Sequence, residues 1–141
     1  MTLADIRLGL RAFLLADSAI AAIVVDRVYP INLDQGIKHT SIVYSRQSGL
    51  PDHWMQGPSG LTRPRYQIDC WSMATAEASA LADLVKERLD GYRGPMPYGT
   101  NSPQNSVEVQ AVFFADEREG YDTDSKLYRV SRDYFIWFRE F

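Results

Sequence analysis

Reactive chemistry has little to work with in this chain. Its 141 residues include one cysteine and two histidines, so no internal disulfide can form, and a lone thiol fits a reducing compartment. His39 and His53 belong to no HExxH, HxH or Cys/His ligand spacing, so no metal motif is present. No GxSxG elbow, P-loop or GxGxxG cradle occurs either. Long apolar runs are also missing. In the N-terminal MTLADIRLGLRAFLLADSA, Asp5, Arg7, Arg11 and Asp17 interrupt every such run, so the segment is expected to be an ordinary helix of a cytoplasmically made protein, not a signal peptide or membrane span. The net charge of −3 gives no basis for a nucleic-acid-binding surface, which needs clustered Lys and Arg. No internal repeat or low-complexity tract breaks the chain.

What is present suits a folded globular protein. Apolar residues make up 45% and charged residues 23%, enough for one domain with its own core over residues 1–141. The acids are unevenly placed. Residues 1–70 hold six acids and seven bases, whereas 71–141 hold twelve acids and eight bases.

Periodicity marks the elements. Arg65 to Gly91 is the organising stretch. Tyr66, Ile68 and Cys70 alternate with Gln67, Asp69 and Trp71 as in a strand with one buried face. Ala74, Ala78, Leu81, Ala82, Val85 and Leu89 then fall on one stripe of a helix. Ser72 or Thr75 is expected to cap it, with Glu77 in the first turn, Lys86 and Arg88 in the last, and Gly91 as its left-handed stop. Earlier, a helix is expected from Thr2 with Asp5 as a capping partner, and a shorter one after Asp17-Ser18. Val28-Tyr29-Pro30 reads as a short edge strand or extended lead-in, and Ser41–Arg46 as a strand. Gln47–Leu61 and Tyr92–Asn105, rich in Gly and Pro, read as long loops. Val107–Ala115 reads as a strand, Asp116–Lys126 as an acidic turn region, and Leu127–Phe138 as the last strand. Apolar residues on both faces of that strand mean a central position or a surface awaiting a partner. The expected fold is therefore α+β: a mostly antiparallel, mixed sheet of four to five strands with two main helices packed on one face, and long β-hairpins pairing 41–46 with 62–71 and 107–115 with 127–138.

The candidate reactive groups have plainer explanations. Cys70 occupies an inward strand position with nothing nearby to activate it. Asp116, Glu117 and Glu119 surround Arg118 in a stretch that reads as a solvated loop. Asp69 and Asp133 are single strand acids, suited to pairing with an arginine such as Arg65 or Arg132. The stronger anomaly is hydrophobic. Leu50, His53, Trp54 and Met55 in the first loop, Glu119 and Tyr121 in the acidic stretch, and Phe135 and Trp137 on the second face of the last strand form a candidate interface, because aromatic and Met residues are favoured where proteins meet. A small-ligand or enzymatic α+β domain using a sheet–helix cleft is the competing reading; it lacks paired catalytic residues.

Several ordered motifs carry a family resemblance. LRAFLLADSAIAAIVVDRVYP gives a helix, an Asp-Ser break and R-[VI]-Y-P. SIVYSRQSG follows, then GPSGLTRPRYQIDCWS running into an alanine-rich helix and LDGYRG. The chain ends with VFFADEREGYDTDSKLYRVSRDYFIWFRE, in the pattern D-x-R-x-x-Y…YR…D[YF]. Across nearly its whole length the chain resembles the tail-completion proteins of long-tailed phages, also called tail terminators or tail-to-head joining proteins, with relatives in prophages and gene transfer agents. The loop 93–105 has Pro and Asn additions that match no pattern of that family. The resemblance implies a non-enzymatic structural virion protein without a cofactor, made in the bacterial cytoplasm and resident at the head-proximal end of the tail. It implies a ring, typically a hexamer, that ends tube polymerisation. Its partners would be further copies of itself, the tail tube protein and the head–tail connector or stopper, with DNA only as cargo through the lumen and no membrane. A non-catalytic interaction module of another phage-derived machine is the alternative within the same resemblance.

Overall fold

A computed structural model describes residues 5–33, 36, 38–48, 51–54, 57–99 and 105–139, with 51–54 and 57–60 described by backbone alone. Helix α1 spans Ile6–Leu15, and its cap is Asp5, whose carboxylate accepts from the Arg7 and Leu8 amides. Asp5 is therefore the cap itself, not the partner of a cap at Thr2, which lies outside the described residues. α2, Ser18–Val24, is capped by Asp17 through the Ala19 and Ile20 amides, as its sequence implies. α3, Thr75–Leu89, buries Ala78, Leu81, Ala82, Val85 and Leu89, which is the stripe its spacing dictates. Its N-cap residue, Ala74, makes no side-chain capping hydrogen bond. The Ser72 hydroxyl instead donates to Glu77 at 2.7 Å and accepts weakly from the Ala74 amide. Gly91 ends the helix at φ 78°, where only glycine sits without strain.

Eight strands are present among the described residues: β1 Val28–Pro30, β2 Ser41–Ser48, β3 Pro51–Trp54, β4 Gly57–Thr62, β5 Arg65–Ser72, β6 Gly94–Tyr98, β7 Asn105–Asp122 and β8 Leu127–Arg139. The sheet runs β1-β2-β5-β8-β4-β3, and β7 joins the other edge of β8 and carries β6. All pairings are antiparallel except β1 with β2. The sheet is mixed, as expected, but larger than the four to five strands expected. Three segments account for the difference. Residues within Gln47–Leu61 form the β3–β4 hairpin, with Pro51 at a strand start and Trp54 opposite Gly57. Gly94–Tyr98 pairs with Asn105–Val109; Met96 points into the core while Pro95 and Pro97 face out, and β6 pairs only with β7 among the described residues, an edge position where proline is tolerated. Finally, β7 does not stop at Ala115. It passes a bulge between Phe114 and Asp116 and stays paired to Asp122, so only four residues are left to turn into β8.

β8 is a central strand. β5 lies along one side, replaced by β4 near the C-terminal end, and β7 lies along the other. The core joins Leu10, Phe13, Leu81 and Val85 of the helices to Tyr66, Ile68, Cys70, Tyr134, Ile136 and Phe138 of the strands. Arg88 ties α3 to α1 by donating to the Phe13 carbonyl, with its guanidinium 3.9 Å from the Phe13 ring centroid. Cys70 is fully buried, and burial pushes its thiol well above the ordinary range. It should therefore resist alkylation by iodoacetamide at pH 8 in the native protein and react fully in urea. Stoichiometric labelling of the folded protein, read by intact mass, would refute this placement.

Candidate functional site

Cross-strand register assembles a surface from the residues whose parity points away from the Tyr66–Ile68–Cys70 face. Gln67 lies opposite Asp133, Asp69 opposite Ser131, and Trp71 opposite Arg129. Across β8, Asp116 lies opposite Asp133 and Phe113 opposite Phe135. At the centre, Asp133 keeps only 2% side-chain exposure. It accepts from Arg65 through Nε at 2.9 Å and Nη2 at 2.5 Å, and from Arg118 through Nη2 at 2.9 Å and Nη1 at 3.1 Å. Arg118 also donates to Asp116 and to the side-chain Oε1 of Gln67, and the Gln67 side-chain amide donates to Asp69. Burial alone would push the Asp133 carboxyl up. The hydrogen bonds from Arg118 and Arg65, and their charges, outweigh it and hold the group below the usual carboxylate range.

Aromatic rings flank this ion network. Arg65 lies over Phe135 at 5.7 Å and Arg63 over Trp137 at 5.3 Å; beyond Asp69, Arg129 lies over Trp71 at 5.7 Å. Phe135 and Trp137 are half-buried, while Phe113 is 55% exposed. On the opposite parity Arg132 is buried between Glu117 at 2.7 Å and Asp83 at 2.9 Å. Asp116, Glu117 and Asp133 are thus all committed to arginines, so none is a free acid or base. Among the described residues no group of three or more His, Cys, Asp or Glu could hold a metal ion, and no helix is long and apolar enough to cross a membrane.

The candidate interface residues that are described fall in three separate places. Leu50 and Met55 lie outside the described residues. His53 and Trp54 sit in β3, opposite Pro58 and Gly57, at the end of the sheet where β4 meets Phe138 and Arg139. Phe135 and Trp137 are mid-sheet beside the ion network. Glu119 and Tyr121 are exposed at the far end, opposite Val130 and Tyr128. Glu119 lies in a strand, not in the loop its composition suggests. Asp133 does pair with Arg65, but Arg132 serves Glu117 and Asp83, and the second partner of Asp133 is Arg118. The signal for Arg118 was the spacing Asp116-x-Arg118, which puts both side chains on one face of a strand. Three further exposed side chains were not singled out from sequence: Phe113, Tyr128, whose ring packs 4.8 Å from Tyr121, and Ile31, 77% exposed with φ 68°. The residues of the C-terminal motif D-x-R-x-x-Y…YR…D[YF] now have physical roles. Asp116, Arg118 and Asp133 share the ion network, Tyr121 stacks on Tyr128, and Arg129 covers Trp71.

Comparisons with known proteins agree with this architecture. A solved chain from the virion of a native gene transfer agent particle superposes with a TM-score of 0.73 over 96% of this chain and 95% of that one, at 15% identity, which establishes a shared fold. A comparison with curated protein sequences finds no match. The family model described as tail completion protein gp17 matches residues 9–139. With a match over nearly its full length, the chain belongs to the tail completion protein gp17 family and is a structural component of a virion tail.

Proposed function

We propose that this protein works as one domain that forms a ring, a hexamer, on the head-proximal end of a phage-like tail tube. The ring ends tube polymerisation and joins the tail to the head connector, and DNA crosses its lumen. The family match over residues 9–139 carries this reading. The consumption of the central carboxylates by Arg65, Arg118 and Arg132 supports a non-catalytic role. In this reading the two main helices cover one face of the sheet. The other face, with Phe113, Phe135 and Trp137 around the Asp133 network, meets a neighbouring virion protein, and the segment carrying Leu50, His53, Trp54 and Met55 reaches the tube or connector. A closing ring needs two different complementary surfaces on each copy, and a near-neutral, slightly acidic subunit leaves passing DNA ungripped.

Deleting the gene from the particle that encodes it should give tails of uncontrolled length that fail to join heads, restored by the protein supplied in trans. Negative-stain micrographs with measured tail lengths read the result directly. Tails of normal length already joined to heads in the deletion would overturn the proposal.

A further inference from the structure

Among the described residues several strand edges of this sheet lack a neighbour, and two of them are complementary. Along β7 the outward backbone groups are closed off one after another. The Gly91 amide donates to the Val112 carbonyl, the Phe114 amide to the Asp90 carboxylate, and the Glu117 amide to the Asp116 carboxylate. By the two-residue alternation of a strand, the next outward positions are Glu119 and Tyr121, and neither has a backbone partner on that side among the described residues. On the other side of the molecule β1 covers β2 only from Ile42 to Tyr44. The Ile42 amide and the Tyr44 carbonyl face β1, meeting the Arg27 carbonyl and the Ile31 amide, so the next outward backbone is that of Arg46, and no described residue pairs with it on that side. Unpaired edges of this kind are templates for another strand.

Side chains at the two edges match in charge and in face. Arg46 and Glu119 are both exposed, and neither makes an ion pair among the described residues. Arg46 lies opposite Tyr66, and Glu119 opposite Val130, so both side chains stand on the core parity of the sheet. Paired edge to edge, Arg46 and Glu119 would share a face. Beside Arg46 lies a cavity of about 890 Å³ lined by Arg7, Ile31, Tyr44, Arg46, Tyr66 and others. Tyr66, with 0% exposure, is buried there, and the Arg46 guanidinium stands 5.7 Å from its ring centroid. Tyr121, 50% exposed, stands two residues from Glu119 on the same face and is the right kind of anchor for such a cavity.

We infer that copies of this chain join by strand addition, with the Glu119–Asp122 edge of β7 in one copy pairing with the Ser45–Ser48 edge of β2 in the next. Glu119 meets Arg46 across the seam, and Tyr121 enters the cavity beside Tyr66. The contact is heterologous, because each copy gives one edge and receives the other, and this is the kind of contact that closes into a ring. The inference rests on the assembling reading above and names its interface.

Mixing two variants that each carry one added cysteine, Arg46→Cys and Glu119→Cys, with tail tubes under mild oxidation tests it. The two positions lie at opposite ends of the sheet, so a link within one copy is excluded, and buried Cys70 does not compete. The expected product is a mixed 46–119 dimer at least about tenfold more abundant than either like-with-like dimer. Arg46→Glu or Glu119→Arg should each raise the concentration needed for assembly about tenfold or more, and the two together should restore it. Assembly on tubes without the mixed link, or without rescue in the double variant, would overturn this interface and leave the ring standing. Failure of the unsubstituted protein to assemble or bind tubes at all would overturn both.

Discussion

Gly9→Leu is expected to destabilise the fold by about 3 kcal/mol, against a gain of about 1 kcal/mol in helix propensity for the same change. A Cβ at Gly9 would stand 3.1 Å from the Met96 carbonyl oxygen, 3.1 Å from Val107 Cγ2 and 3.3 Å from Met96 Cβ. One of the two nearest atoms is backbone and cannot rotate aside. A leucine side chain has no space unless α1 lifts off β6, which would also strain the bond from the Asp5 amide to the Tyr98 hydroxyl, 3.2 Å long. Gly9→Ala is the control: its propensity gain and its tight contacts should nearly cancel. Urea unfolding followed by tryptophan fluorescence checks both variants. If Leu stabilises the protein, Gly9 is not a packing contact and α1 does not seat on β6 as described. Because Ile6 and Arg7 of α1 line the cavity beside Arg46, Gly9→Leu should weaken assembly as well as folding.

Local chemistry made part of this fold readable. The alternation at Tyr66, Ile68 and Cys70 and the stripe from Ala78 to Leu89 depend only on neighbours in sequence, and both appear as read. The β3–β4 hairpin and β6 were not readable, because Pro51, Pro58, Pro95 and Pro97 carry loop signals and the strands form only when a distant backbone pairs with them. The same reason hid the length of β7. Asp116-Glu117-Arg118-Glu119-Gly120 looks like a solvated turn until β8 supplies Asp133 on one face and Arg132 on the other, each 15 residues from its partner in β7. Gly120 fits this arrangement as well. A Cβ there would stand 2.7 Å from Arg129 Nη2, so the missing side chain leaves room for the guanidinium that covers Trp71. Of the candidate interface, Phe135 and Trp137 could be read from parity. The open edges at Arg46 and Glu119 could not, since an edge is defined by which strands fail to arrive.

Asp133→Asn is expected to cost about 2 kcal/mol at pH 7, with the difference shrinking as pH falls below about 4. The carboxylate is buried and accepts four hydrogen bonds from two arginines. An amide offers one acceptor oxygen, turns its NH2 towards a guanidinium, and leaves Arg65 and Arg118 repelling each other. Removing one partner of a fully buried pair costs about 3–5 kcal/mol. Here the arginine side chains are 34% and 41% exposed, and water recovers part of the loss. The sign of the pH dependence follows from the depressed carboxyl. The stability it contributes is present above the unfolded carboxylate pKa of about 3.9 and is lost as pH falls through the lower folded value. Asparagine does not titrate, so the two stability curves should converge in acid. Urea unfolding at pH 7 and pH 3 measures the gap. A gap unchanged between them would mean that shape at position 133, not charge, holds β7 against β8. Convergence would locate the stability of the outer sheet face in its arginine–aspartate network. That network holds Asp116 and Arg118 in register, and the same register presents Glu119 and Tyr121 at the open edge, so Asp133→Asn should loosen the seam between copies without touching it.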